Sequence, residues 1–377
     1  MIKKGLFFTC FLFLSIFCHP QKKAVQINAA ITEDIAFNIK GGVDQGSVLL
    51  GNIDFTLTLD TEKLHLWKGG TFFIYALNNH GKSLSNLVGD VQIVNNIEAL
   101  SNTRLFEFWY RQKIGNFLIT LGQHGLDSEF AISKYGFDPF IHSSFGIQPD
   151  ISTNIPVSIF PVATLGVVIQ WDISKNLHFI NGFYDGSPGT ELENPNSLHW
   201  KLSSDEGMMT IHEIQYNNGN HSTYKLGIWS HTANGNYGDN EFSSRNGVYF
   251  ITDQLLFSEK NTGNQGLGMF AQIGIPLKNV VPIKLYLGGG FVYNGLFSKR
   301  DEDMLGLALA HTSFSEAYQR EQQSISLGSE TAIELTYKMV LNSHFSIQPD
   351  FQYVMNPQGT NSYKNAFVGI FRLKYEI

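Results

Sequence analysis

Apolar and polar residues alternate with a period of two along most of this sequence, and no other feature restricts its fold as strongly. In the segment 49–60, Leu49, Gly51, Ile53, Phe55, Leu57 and Leu59 fall on one face of an extended chain. Asn52, Asp54, Thr56, Thr58 and Asp60 fall on the other. Successive side chains of a strand point to opposite faces, so this is a strand with one apolar and one wet side. The chain's last segment repeats the pattern, with Phe367, Gly369, Phe371, Leu373, Tyr375 and Ile377 opposed by Val368, Ile370, Arg372, Lys374 and Glu376. Comparable segments stand near 71–78, 104–112, 116–122, 163–172, 176–184, 208–216, 222–231, 247–256, 266–276, 282–293, 303–311, 328–340 and 344–354. These predict about fifteen strands, and one more near 91–99 would give an even number that closes a sheet on itself.

Turn signals such as Asn218-Gly219, Asn234-Gly235, Asn246-Gly247 and Pro357-Gln358-Gly359 separate many of these segments. Their spacing, about 20 residues for each strand and its connection, suits long strands joined by loops of unequal length better than a compact sandwich. No helical stripe of period 3.6 is sustained, apart from a short helix expected around 125–140. The simplest reading is all-β: a transmembrane antiparallel β-barrel of about 16 strands, occupying 45–377 as one domain. A polar, loosely ordered segment at 21–44 precedes it.

Residues 1–20 carry Lys3 and Lys4, then a largely apolar run from Leu6 to Cys18, which is the pattern of a removable signal peptide cut near Pro20. That run is too short to span a bilayer as a helix, which takes about 20 residues. Both cysteines, Cys10 and Cys18, lie within it. Phe17 stands where a lipoprotein signal would have a small residue. An exported chain without later apolar runs of helix length is either soluble or a barrel of a Gram-negative outer membrane, in contact with its lipid. Aromatic residues near strand ends, Phe351, Tyr353, Phe371 and Tyr375, favour the barrel because such rings gather at membrane interfaces.

Charge excludes several functions. With 26 Lys+Arg against 33 Asp+Glu the net charge is −7, and no basic block offers a footprint for nucleic acid. The 12 histidines are scattered without zinc-site spacing. Asp301, Glu302 and Asp303 are consecutive acids that lack the spacing of a calcium loop. No Gly-x-Ser-x-Gly elbow or phosphate loop occurs, and His142-Ser143 or His311 with Ser313 is too slight a basis for a triad. No catalytic residue, metal or cofactor is expected.

Several longer stretches are more specific. The runs SKRDEDMLGLALAHTSFSEAY at 298–318, ETAIELTYK at 330–338 and FSIQPDFQYVMNPQGT at 345–360 resemble the C-terminal third of the carbohydrate-selective porins of the OprB type. NHGKSLSNLVGDVQIVNNIEA, RLFEFWYRQ, GLDSEFA, SSFGIQPD, FYDGSPG and GLGMFAQIG resemble the same family in the same order. The resemblance implies an outer-membrane barrel admitting monosaccharides, glucose above all, by passive diffusion. Two departures are Ile377 in place of a final aromatic residue and Gln123-His124 where an aliphatic and an aromatic residue are usual. The second bears on the pore.

A sugar pore needs a constriction whose polar groups replace water around hydroxyls, with a flat ring for the sugar's apolar face. RLFEFWYRQ places Phe106, Phe108 and Tyr110 on one face and Glu107, Trp109 and Arg111 on the other, the expected lumen face. Arg104 either leans into the pore or pairs with a carboxylate. For Glu107 and Trp109 the alternative is a structural ion pair and an interfacial ring. Asp127 and Glu129 open a stretch with few strand signals that runs to about 162, expected to fold inward and narrow the pore; a turn cap and a solvated loop charge are the alternatives. Glu334 alternates with Lys338 on a polar face, either lining the lumen or pairing with it. The solutes would be monosaccharides, with a homo-oligomer left open. The alternative function is a plugged or adhesive barrel binding an external partner.

Overall fold

The computed structural model describes residues 24–219, 221–237, 240–259, 265–278, 280–321 and 325–377; the expected signal peptide lies outside them. The strands are β1 (Val25–Gly42), β2 (Gly46–Asp60), β3 (Gly70–Gly81), β4 (Asn102–Ile114), β5 (Phe117–His124), β6 (Thr164–Asp172), β7 (Leu177–Asp185), β8 (Met208–Asn218) and β9 (Ser222–His231). They continue with β10 (Gly235–Tyr237), β11 (Asn240–Phe242), β12 (Arg245–Ser258), β13 (Gly266–Pro276), β14 (Ile283–Asn294), β15 (Met304–Phe314), β16 (Ser329–Asn342), β17 (Phe345–Met355) and β18 (Lys364–Glu376). All but the small β10–β11 hairpin form one closed antiparallel barrel, in which β1 pairs with both β2 and β18.

The expected strand near 91–99 does not form. The sixteenth barrel strand is β1, so the segment 21–44 contains barrel wall rather than a loosely ordered leader. Val25, Ile27, Ile31, Ile35, Phe37 and Ile39 are exposed along its outer face. Glu33 breaks that apolar row and disguises the alternation. The partner that fixes β1, at the far end of the chain, is invisible to any local pattern.

Hydrophobic exposure is inverted relative to a soluble protein. Leu49, Ile53 and Phe55 of β2 and Phe367, Phe371 and Tyr375 of β18 face outward and exposed, while Asn52, Asp34, Glu213, Asp253, Glu330 and Glu334 are buried inside. Such an inversion fits a barrel whose outer face would meet lipid, where exposing the first set carries no penalty in water. The connections at one end are long, at 82–101, 125–163, 186–207, 232–244 and 315–328; at the other end, which carries the C-terminus, the longest are 61–69 and 295–303.

Two of the long connections enter the barrel. In 125–163 the prolines at 139, 149, 156 and 161 restrict regular structure to single turns at Leu126–Ser128, Lys134–Phe137, Ser143–Phe145 and Pro149–Ser152. Phe130, Ile151 and Ile155 of this segment pack on Ile180, Ile211, Trp229 and Ile251 of the wall. Tyr135, Phe140 and Phe145 pack on Phe270, Tyr286 and Val292. Glycine makes room for this approach: a Cβ on Gly182 would lie 2.8 Å from the Phe130 ring, and one on Gly268 would lie 2.3 Å from Tyr135. The connection 82–101 lies against the opposite wall, with Leu84, Val88 and Val94 beside Ala332, Val354 and Val368. The two segments bond to one another through Asn96 N–H to Ile141 O (2.8 Å) and Ser143 N–H to Ile93 O (3.0 Å).

Candidate functional site: the constriction inside the barrel

Carboxylates on the wall hold the inner segments by accepting their backbone N–H groups. Glu107 on β4 accepts from Gly125 (2.9 Å), Glu213 on β8 from Ala131 (3.0 Å) and Asp253 on β12 from Tyr135 (3.1 Å). Glu334 on β16 accepts from Ile141 (2.7 Å) and His142 (3.0 Å), and Glu330 accepts from Val91 and Gln92. Buried backbone donors without partners are costly, and charged acceptors make strong bonds, so these four strands fix where the segments sit.

Between the inner segments and the wall formed by β1–β4 and β16–β18 remains a space of about 770 Å³. Asp54, Glu107 and Asp127 border it on one side, and Lys338, Arg372 and Lys374 elsewhere on its lining. Phe73, Tyr75, Phe106 and Phe160 add ring faces. The Tyr75 hydroxyl donates to Asp54 (2.5 Å), and Asn52 donates to the same carboxylate (2.6 Å). Arg372 donates twice to Asp34 (2.9 and 2.8 Å) and once to the Asn96 side chain (2.9 Å). Lys338 reaches Asp138 of the inner segment at 2.9 Å.

Five of the seven expected site residues come together. Glu107 accepts from the Trp109 indole N–H (3.0 Å), the indole stacks on Phe73 at 4.8 Å, and the Arg111 guanidinium lies 4.6 Å from the indole ring centre. Arg111 also donates to Thr120 (2.8 Å) and is paired with Glu129. Trp109, Arg111 and Glu129 brace the root of the inner segment; Glu107 and Asp127 border the open space. Burial, with the Glu107 charge adding to it, pushes the Asp127 carboxyl up to about 7. Burial also raises Glu129, against the lowering influence of Arg111.

Arg104 and Glu334 stand elsewhere, away from the open space. Arg104 is buried near the long-loop mouth, donating to Asn79 (2.5 Å), to Leu100 O (2.8 Å) and to Glu191 (2.5 Å), the carboxylate pairing that was one of its two readings. Glu334 is fully buried beneath the inner segment and does not face the open lumen. Phe106 also departs from expectation: β4 has an extra residue opposite Tyr75 and Ala76, and this bulge turns Phe106 inward onto Tyr75. Gln123 and His124 are buried where the inner segment leaves the wall. Gln123 donates to Leu105 O (2.6 Å) and accepts from Trp200 (2.6 Å), while His124 meets the Tyr184 hydroxyl at 3.2 Å. Sequence reading missed Asp54, Tyr75, Arg372 and Lys374 as lining groups, although all but Tyr75 lie on the polar faces that the alternation had marked. The His311–Ser313 pair (3.2 Å) lies on the outward side of β15, bonded to Thr331 and, among the described residues, to no carboxylate.

Comparison with known proteins agrees with this architecture. Porin B of Pseudomonas aeruginosa is 23% identical, over 90% of this chain and 85% of its own length. A high-pH structure of Pseudomonas putida OprB superposes with a TM-score of 0.85 at 19% identity, covering 94% of both chains. The outer-membrane channel DcaP of Acinetobacter baumannii follows with 0.59 at 12% identity, over 94% of this chain and 97% of that one. The model of the carbohydrate-selective porin family, OprB type, matches residues 44–376, and the chain belongs to that family.

Proposed function

We propose that this barrel sits in a Gram-negative outer membrane, exported there by residues 1–20, and lets monosaccharides such as glucose diffuse down their gradient. The observation that carries the reading is the mixed lining of the inner space: carboxylate acceptors at Asp54, Glu107 and Asp127, cationic donors at Lys338, Arg372 and Lys374, and rings at Phe73 and Tyr75. A sugar crossing such a site exchanges its water for fixed donors and acceptors, and the wet surroundings keep binding weak enough for release.

Conductance of the refolded protein in a planar bilayer tests this. Glucose is expected to reduce ion current at lower concentration than a disaccharide does, and Asp127→Asn is expected to weaken that block. Open current indifferent to either sugar would instead mark a general diffusion pore. The meeting of both inner segments across the lumen favours one other reading, a plugged barrel that binds an external partner; it requires a folded protein with negligible current.

A further inference from the structure

Strand β5 is too short to complete its share of the wall. It has 8 residues beside 13 in β4, and its ladder to β4 ends where Gln123 faces Phe108. Beyond that point the stretch Asn102–Glu107 of β4 is paired with β3 on one side and has no β5 residue on the other. An open edge of this kind leaves backbone N–H and C=O groups bare. Its depth follows from Phe117, which opens β5 and stacks on Trp171 near the short-turn end, the place of an interfacial ring pair. Gln123 stands six residues further on. For a strand rising ~3.3 Å per residue with a tilt of about 45°, that is about 14 Å deeper into an apolar band about 25 Å tall. The notch therefore opens at hydrocarbon depth, where lipid offers such groups no partner.

Gln123 and the connection 186–207 close it. The Gln123 side chain donates to Leu105 O (2.6 Å) and Phe106 O (3.0 Å), Asn196 O accepts from Leu105 N–H (3.1 Å), and the Asn196 side chain donates to Thr103 O (2.8 Å). Glu191 fastens the start of the connection by accepting from Leu100 N–H (2.7 Å) and from Arg104. Gln123 shares the outward face of β5 with Leu121 and lies opposite outward Phe108; both of these are exposed, yet Gln123 is fully buried. The Trp200 indole, donating to its Oε1 at 2.6 Å, covers it, so this stretch of the connection lies on the outside of the wall. There Leu198, Trp200 and Leu202 alternate with His199, Lys201 and Ser203, as apolar and polar residues do along a strand. All three are exposed, and Leu202 at 74% is surpassed only by Leu192 of the same connection among the large apolar side chains of the described residues. Through Trp200 this row adjoins the outward apolar surface of Phe108 and Leu121.

We propose that the connection 186–207 is a membrane-embedded strap, which fills the notch above β5 and turns Leu198, Trp200 and Leu202 into the acyl chains of the outer leaflet. This rests on the outer-membrane reading given above. Irregular backbone is tolerated at such depth only where its polar groups are satisfied by protein, which is what Gln123 and Asn196 accomplish. Gln123 thus serves the outside of the wall and not the pore.

Residues 19–377 contain no cysteine, so a single introduced thiol carries a single label. Leu202→Cys on the strap, Leu121→Cys on the wall and Gln45→Cys in the exposed turn between β1 and β2 are each labelled with a fluorophore, in liposomes whose acyl chains are brominated in mid-chain. Bromine is expected to quench the label at position 202 about as strongly as the one at 121 and several-fold more than the one at 45, and aqueous iodide is expected to give the reverse order. A label at 202 that iodide quenches as it does the one at 45, or that neither agent reaches because protein covers it, would overturn the proposal. Bromine quenching at 121 would in that case leave the outer-membrane reading standing, whereas its absence at 121 as well would remove both. Heat-modifiable mobility checks that the barrel is folded, and if Leu202→Cys does not assemble, Leu198→Cys is read the same way.

Discussion

The two halves of the barrel interior solve opposite problems with the same strand pattern. Along β6–β9 and β12–β15 the inward residues include Ile180, Ile211, Trp229, Tyr249, Phe270 and Tyr286, and the inner segment fills the space as a close-packed core. Along β2–β4 and β16–β18, nearer mid-barrel, the inward residues include Asp54, Glu107, Lys338 and Arg372, and water-accessible space remains. An inward position is therefore not inherently polar in such a barrel; it takes the polarity of what faces it. The off-centre filling narrows the channel and places it against the charged wall.

Substitutions within the inner segment should break this contrast most sharply. Phe130 is fully buried on the filled side and Phe137 is 59% exposed on the open side. Phe130→Ala is expected to cost about 3–5 kcal/mol in reversible urea unfolding, whereas Phe137→Ala should remain within about 0.5 kcal/mol of the parent. Equal losses would mean that the segment is not seated as described.

A smaller effect is expected where the segment is tied to the wall. Glu334→Ala leaves the N–H groups of Ile141 and His142 buried without an acceptor, for a loss of about 3 kcal/mol. Single-channel traces of that variant should show larger and noisier current as the segment loosens; quiet traces of parental size would show that the other wall carboxylates hold it unaided.

On the open side, charge rather than stability should respond. Arg372→Gln removes a cation from the lining and releases Asp34, so reversal potentials in a salt gradient should move toward cation preference. Movement the other way would place Arg372 outside the conducting path.

The smallest effect is a titration. With its carboxyl raised to about 7, Asp127 is neutral below that pH and anionic above it. The folded state is favoured by the neutral form, a contribution present in full below the ordinary carboxylate range and lost as pH rises through about 7. Cation preference should accordingly increase between about pH 6 and 8 in the parent and be flat across that window in Asp127→Asn.

The fifteen strands expected from alternation all form, and each near its expected position, because an outward apolar row needs only local information: an apolar side chain at every second residue. β1 escaped because Glu33 sits in its outer row and because its closing partner, β18, lies at the other end of the chain. Glu107, Trp109, Arg111, Asp127 and Glu129 were legible as a group, since a strand face and the loop that follows it must be neighbours. Arg104 and Glu334 carried the same local signal, yet the connections 82–101, 186–207 and 125–163 cover them.

By itself, then, the sequence determined which residues alternate, hence the strands, their two faces and the barrel they close into, for period two is a property of the extended backbone. Tertiary structure alone decided which inward residues meet water and which meet protein. That division depends on where 82–101 and 125–163 come to rest, and their resting place is set by Glu107, Glu213, Asp253, Glu330 and Glu334 on strands far apart in the chain. A carboxylate that will bind solute and one that will hold a loop look the same in a strand; only the backbone N–H brought to it by the fold distinguishes them.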